Sequence, residues 1–225
     1  MRVLAIVHEE DAGPGVFADA IRARGAELHS WMIRRDGPPS LDPREYDAVM
    51  TFGGAMNPDE ESEHPWLKEE KALLADLLEL EVPLLGVCLG AELVAEAAGA
   101  PARRMEESEI GWYEVEKAFK ADPVVGALPS QFDALEWHSY ETRLPPGAVA
   151  LARSERCLQA FRVGDRAWGI QFHAEVTRED FDSWLDTSDD RPPNADALRA
   201  DTHERIAEWN ELGRDLCGRF LDIVG

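Results

Sequence analysis

Apolar residues along the chain fall into short unbroken runs that alternate with stretches of helical spacing. Residues 3–7, 83–87 and 167–172 are compact apolar runs, the pattern of strands covered on both faces. Residues 28–33 and 47–52 read as two further strands, the second running directly into Gly53-Gly54. The spacing predicts helices over 16–24, 66–80 and 89–98, with Leu73, Leu74, Leu77 and Leu78 forming the apolar stripe of the second. Gly25 and Gly99 stand where the first and third should stop. Gly13-Pro14-Gly15 and Asp36-Gly37-Pro38-Pro39 read as loops. Strand and helix thus alternate through the first hundred residues, the signature of a parallel sheet with helices on both faces.

The pattern then changes. Residues 112–119 and the segments around Leu135, Val149 and Phe161 read as strands with no helix between them, which predicts an antiparallel section. After the strand at 167–172, residues 178–185 can form a helix and 186–194 read as a polar surface loop. Ile206, Trp209, Leu216 and Phe220 share one face of a C-terminal helix expected to pack on the sheet. No repeat, low-complexity tract or clean linker divides the chain. The expected architecture is one α/β domain over residues 1–225: a mostly parallel sheet flanked by helices, with a smaller antiparallel section. A chain of 225 residues can bury roughly 70% of its unfolded surface, so it needs no disulfide or metal staple.

Charge and cysteine content narrow the function classes. A net charge of −22 argues against nucleic acid or an anionic membrane as partner, since both select a basic face. It leaves solubility, or a docking face for a basic partner. The N-terminus lacks the apolar core and cleavage site of a signal peptide, and no stretch approaches the ~20 apolar residues of a membrane helix. The three cysteines, Cys88, Cys157 and Cys217, are widely spaced with no CxxC or Cys/His ladder. Neither a disulfide framework nor a zinc ribbon fits, and a reduced, cytoplasmic setting is expected.

Candidate chemistry begins at Gly86-Val87-Cys88-Leu89-Gly90. A nucleophile between two glycines, after a predicted strand and before a predicted helix, has the layout of a nucleophile elbow with Cys in place of Ser. Side chains at the flanking positions would collide in so sharp a turn. The helix start favours a thiolate, and the Leu89 N–H is aimed where an oxyanion would form. Cys157 and Cys217 have no such frame and read as buried core residues. Gln171-Phe172-His173-Ala174-Glu175, at the end of another apolar strand, supplies a base, His173, and an orienting acid, Glu175. Strand ends on one edge of a parallel sheet converge, so Cys88 and His173 can meet. Thr51-Phe52-Gly53-Gly54-Ala55, at a third strand end, offers a close backbone approach and a second oxyanion donor from Gly54 or Ala55.

The run Pro83-Leu84-Leu85-Gly86-Val87-Cys88-Leu89-Gly90-Ala91-Glu92-Leu93 resembles the elbow of class I, triad-type glutamine amidotransferases. The Gly-Gly loop and the Gln-Phe-His-x-Glu box follow in the family's order and spacing. Gly53 to Asn57 leading to Pro65-Trp66-Leu67, then Glu109-Ile110-Gly111-Trp112 and Gln159 to Gly164, are similar to the free-standing, GMP-synthase-like branch. The resemblance covers nearly the whole chain. It implies a flavodoxin-like sheet flanked by helices, glutamine hydrolysis through a γ-glutamyl thioester on Cys88, and ammonia passed to a synthase subunit in trans. It implies no cofactor and no metal. By resemblance, Gly53, Glu92, His138, Ser139 and Tyr140 bind substrate.

Three positions depart from the family pattern. Glu92 stands where the family usually has Gln, so it can repel a substrate carboxylate, attract an ammonium group, or sit protonated at the edge of the core. Ala174 replaces the Pro of the usual His-Pro-Glu box and leaves both functional side chains. Tyr140 occupies the place of an Asp in Trp137-His138-Ser139-Tyr140, where relatives hold the α-amino and carboxylate groups; His138 and Ser139 either line the pocket or are structural. Four functions compete: a glutaminase feeding an acceptor enzyme, a stand-alone γ-glutamyl amide or peptide hydrolase, a non-catalytic binding or regulatory relative, and a Cys/His/Glu metal site. The last leaves the elbow unexplained.

Overall fold

The computed structural model describes residues 1–118, 121–188 and 190–224, so Phe119 and Asp189, within segments predicted above as strand and loop, lie outside the described residues. Five strands build the first half of the sheet: β1 (Arg2–Val7), β2 (Glu27–Met32), β3 (Ala48–Thr51), β4 (Leu84–Val87) and, far later in the chain, β9 (Ala167–Ile170). Every adjacent pair among them is parallel. The other half is β5 (Ala102–Lys117), β6 (Gln131–Thr142), β7 (Val149–Arg153) and β8 (Leu158–Val163), joined by antiparallel pairings, and β8 also pairs antiparallel with β9. The full order is β2-β1-β3-β4-β9-β8-β7-β5-β6. The antiparallel section is therefore an extension of the same sheet and is as extensive as the parallel part.

The apolar runs lack alternation because both faces of the parallel half are covered. Val3, Ala5 and Val7 of β1 pack into one core, with α1 (Phe17–Ala23) and the C-terminal α5 (Ala195–Val224). Leu4 and Ile6 pack into a second core on the other face, with α2 (Trp66–Glu79) and α3 (Leu89–Ala97). Adjacent residues on a strand point to opposite faces, so a doubly covered strand must be apolar throughout. The remaining helix, α4 (Arg178–Thr187), opens with a capping box in which Thr177 and Asp180 satisfy each other's backbone N–H groups. The face predicted for α5 is buried through Ile206, Trp209, Leu216 and Phe220.

What this topology does for function is to align strand ends. β1, β3, β4 and β9 run the same way, so His8, Phe52, Cys88 and Gln171 all emerge at one edge. That carboxyl edge is where open α/β sheets present their ligand sites. Among the described residues no helix is long and apolar enough to cross a membrane.

Candidate active site

Cys88 caps α3 with φ 52° and ψ −114°, a strained conformation for a residue with a side chain. The glycines around it are required by contact. A Cβ at Gly86 would lie 2.5 Å from the Gly90 carbonyl oxygen, and one at Gly90 would lie 2.2 Å from the Thr51 carbonyl oxygen. Both obstacles are backbone and cannot rotate away. Gly90→Ala is expected to destabilise the fold by on the order of 3 kcal/mol through overpacking. A denaturation midpoint equal to that of the unaltered protein would show that the elbow has room the contacts deny.

β4 leads into Cys88, the neighbouring β9 runs on toward His173, and the two side chains share a cavity of about 580 Å³. His173 is buried, and its Nδ1 lies 2.8 Å from Glu175 Oε1. Its backbone N–H donates to the Leu135 carbonyl at 2.8 Å, and its own carbonyl accepts from Trp209 Nε1 at 2.7 Å. The ring packs edge-on to Trp184 of α4, centroids 4.8 Å apart. Nε2 has no hydrogen-bond partner among the described residues, while the Cys88 thiol donates to the Trp137 carbonyl at 3.7 Å. Burial alone would depress the His173 pKa, but the negative charges of Glu175 and of a Cys88 thiolate outweigh it and hold the imidazole well above its usual range.

The predicted oxyanion donors border the cavity that holds the thiol. Gly54, Ala55 and Leu89 line the cavity with Cys88, and their backbone N–H groups find no backbone acceptor among the described residues. Gly53 is outside the cavity lining; a Cβ there would come within 3.2 Å of His173 Cε1, so it acts as a close-packed floor for the dyad. Glu175 also stands behind the cavity, reaching it only through His173.

The predicted substrate residues divide. Glu92 is buried in the cavity wall, where Gln171 Nε2 donates to its Oε1 at 3.0 Å. Burial pushes its pKa up to about 7 against the lowering influence of His138 and Gln171. Ser139 lines the cavity and accepts from Ser108 at 3.0 Å. The Tyr140 hydroxyl donates to Asp59 at 2.9 Å, so an acid stands beside Tyr140. His138 borders the cavity, but its nitrogens are turned to the protein: Nδ1 to the Tyr140 carbonyl at 2.8 Å and Nε2 to Glu109 at 3.0 Å.

His138 belongs to a buried cluster. Glu109, His138 and Cys157 hold potential ligand atoms within 4.8 Å of one another. Those atoms already satisfy each other: Glu109 Oε2 accepts from His138, from Gln159 Nε2 at 2.8 Å and from the Cys157 thiol at 3.5 Å. Burial works against an ionised Glu109, yet the hydrogen bonds from His138, Ser154 and Cys157 win and keep its pKa below the ordinary value. The cluster is a hydrogen-bonded wall behind the cavity.

Other contributors gave no motif. Trp184 reaches His173 from α4, which is tied to the loop after β1 by Trp184 Nε1 donating to the Asp11 carbonyl at 2.9 Å and Ser183 Oγ donating to Asp11 at 2.6 Å. His8, at a strand end like Cys88 and His173, was the residue that a strand-end rule could have found.

Comparison with known proteins identifies a family. Residues 15–186 match the family glutamine amidotransferase class-I. The chain is 29% identical to the glutamine amidotransferase-like protein YfeJ of Salmonella typhimurium over 99% of its own length and 96% of the relative's. It is 31% identical to a subunit of the glutamine-hydrolyzing GMP synthase of Methanoculleus marisnigri, over 68% of this chain and 79% of that one. A glutamine amidotransferase crystal structure from Thermotoga maritima superposes with a TM-score of 0.90 at 30% identity, covering 99% of this chain and 98% of the other. A match spanning most of the chain, joined to a fold shared end to end with a solved amidotransferase, places this protein in the class I glutamine amidotransferase family.

Proposed function

We propose that this enzyme hydrolyses the side-chain amide of glutamine through a γ-glutamyl thioester on Cys88. The observation that carries this reading is the Cys88 elbow opening into the same cavity as a His173 ring held by Glu175 at 2.8 Å. The Cys88 thiolate attacks the γ-carbonyl carbon, forming a C–S bond and an oxyanion. The N–H groups of Leu89 and of Gly54 or Ala55 receive that oxyanion; a lost donor of this kind commonly costs ~3 kcal/mol of barrier. The tetrahedral species collapses, and His173 Nε2 gives its proton to the departing ammonia. His173 then takes a proton from water as the water attacks the thioester, and the C–S bond breaks to release glutamate. Glu175 keeps Nδ1 protonated and Nε2 free for these transfers. Glu92, Ser139 and Tyr140 contact the amino-acid end, and Gly53 shapes the floor.

The relative named as a subunit of a glutamine-hydrolyzing GMP synthase supports the further reading that ammonia leaves for an acceptor enzyme in trans. The continuous sheet supports treating residues 1–225 as one domain, and three free cysteines fit a reduced, cytoplasmic setting. The test is ammonia release from L-glutamine by the purified chain, with acid-quenched mass spectrometry for a γ-glutamyl adduct on Cys88. An adduct on another residue, or none during turnover, would overturn the thioester route. Glu92 favours a second reading, a stand-alone γ-glutamyl amide hydrolase, because an acid in the wall can hold an ammonium group. Ammonia-free release of amines from γ-glutamyl amides, faster than glutamine turnover, would select it.

Glu92 has a consequence for stability that needs no substrate. Its folded pKa of about 7 lies above the ordinary carboxyl value of 4.5, so the folded state binds this proton more tightly than the unfolded chain. Raising pH from the unfolded to the folded value therefore costs stability, and above about pH 7 the cost is complete, on the order of 3 kcal/mol. Glu92→Gln, which can still accept from Gln171, is expected to stabilise the protein at pH 8 and to change it little at pH 5. Denaturant midpoints at the two pH values check this; an equal difference at both would show that Glu92 titrates normally. The same variant is expected to improve use of glutamine near pH 8.

A further inference from the structure

The residue that follows β1, His8, is fully buried beneath the Gly53-Gly54 loop. Its Nδ1 lies 3.0 Å from both the Phe52 and the Gly53 carbonyl oxygens. Two acceptors on one side require Nδ1 to be a donor. Its Nε2 lies 2.8 Å from Oε2 of Glu70, also fully buried, on α2. The other carboxylate oxygen accepts from Thr51 Oγ1 at 2.6 Å. Nε2 and Oε2 share a proton in a buried hydrogen bond, so His8 and Glu70 form one linked pair with Nδ1 held as the donor to the loop. Burial works against the charge on His8, but Glu70 and the two carbonyls outweigh it and keep its pKa raised. The imidazole stacks on Trp66 at a centroid distance of 5.1 Å, which fixes its plane.

The peptide between Gly53 and Gly54 is planar and trans, so the Gly54 N–H points opposite to the Gly53 carbonyl. Whatever holds that carbonyl also sets the direction of the Gly54 N–H. We propose that His8 and Glu70 are positioning residues, a buried clasp that holds the Gly53 carbonyl and thereby aims the Gly54 N–H at the oxyanion. The clasp rests on the assignment of Gly54 as an oxyanion donor. Glycine gives this loop no side chain to lock its torsions, so the orientation has to be imposed from below. Three elements contribute: the end of β1 gives His8, the end of β3 gives Thr51, and α2 gives Glu70.

Two variants of the full chain separate positioning from plain structural support. Glu70→Gln keeps the geometry without the charge: its amide donates to a neutral His8 Nε2, its oxygen still accepts from Thr51, and Nδ1–H still holds the loop. In His8→Phe/Glu70→Leu the ring still stacks on Trp66 and both buried partners are apolar, so no unpaired charge remains. Ammonia release from L-glutamine gives kcat and KM, and hydrogen exchange reports the amides of residues 52–56. Glu70→Gln is expected to stay within about threefold of the unaltered kcat. The double variant is expected to lose roughly 30- to 100-fold in kcat, the size of a weakened oxyanion donor, with KM within about threefold. Its loop amides are expected to exchange at least about tenfold faster, with α5 unchanged. A double variant with unaltered kcat and unaltered loop exchange would overturn the clasp while leaving the thioester mechanism standing. If the unaltered protein releases no ammonia, the glutaminase reading fails and loop exchange alone decides: faster exchange confined to 52–56 supports the clasp, and none refutes it.

Discussion

Cys88→Ala is expected to reduce ammonia release from glutamine by at least about 10⁴-fold while the protein stays folded. The chemistry passes through a C–S bond that alanine cannot form, and water held at the same place would lack both the nucleophilicity and the leaving ability of a thiolate. The fold should tolerate the change. Cys88 and alanine share a Cβ, so the strain at φ 52° is unaltered, and the thiol's hydrogen bond to the Trp137 carbonyl is a weak one of 3.7 Å. The other two cysteines serve as controls. Cys157 is turned into the buried cluster against Glu109, and burial drives its pKa far up. Cys217 sits inside α5 against the Phe17 carbonyl, where burial pushes its thiol up to about 12. Neither lines the cavity. Cys157→Ala and Cys217→Ala should therefore change kcat little. Turnover surviving in Cys88→Ala, or lost in either control with a normal melting curve, would move the nucleophile elsewhere.

The residues that made this chemistry legible are those whose local sequence is constrained by geometry. The glycines around Cys88 are dictated by backbone contacts of 2.2 and 2.5 Å, and an apolar run before each site residue follows from burial on both sheet faces. Strands β1, β3, β4 and β9 were readable for the same reason. β5 was harder: it starts at Ala102, ten positions before the apolar signal at Trp112, because Arg103, Arg104, Glu106 and Glu107 are exposed and the pairing with β6 shifts register between Arg104 and Glu109. Charged, one-sided strand at a sheet margin carries no apolar period. α5 likewise begins at Ala195, well before its first predicted core position. The pairing of the buried polar groups was not legible, although His8 stands at a strand end. His8, Thr51 and Glu70 lie on three elements and up to 62 residues apart. A polar residue inside the core looks, in sequence, like any surface residue. His138 shows the converse, since its motif places it at the pocket while its hydrogen bonds turn its nitrogens away from it.

Glu175→Gln is the second large effect, and it tests the electrostatics of the dyad. In the unaltered protein Nδ1–H donates to Glu175 Oε1 at 2.8 Å, which leaves Nε2 as the acceptor for the thiol proton. A glutamine side chain fits the same space but is neutral and ambivalent. With its oxygen toward Nδ1 the tautomer survives without charge support; with its amide toward Nδ1 the tautomer inverts and Nε2 can no longer accept. A loss of about 10²- to 10⁴-fold in kcat is expected. The pH response separates charge from geometry. Burial lowers the His173 pKa, and Glu175 is the leading influence that raises it. Removing that charge leaves desolvation dominant, so the imidazolium should be lost at a lower pH. A thiolate paired with that imidazolium should then be available over a narrower range on its alkaline side. Iodoacetamide alkylation of Cys88, followed by mass spectrometry between pH 5 and 9, reads this pair without any substrate. Near neutral pH the variant should alkylate more slowly than the unaltered protein, with the difference closing as the thiol ionises alone at high pH. Superimposable alkylation profiles, with kcat still reduced, would mean that Glu175 orients the ring but does not set its charge.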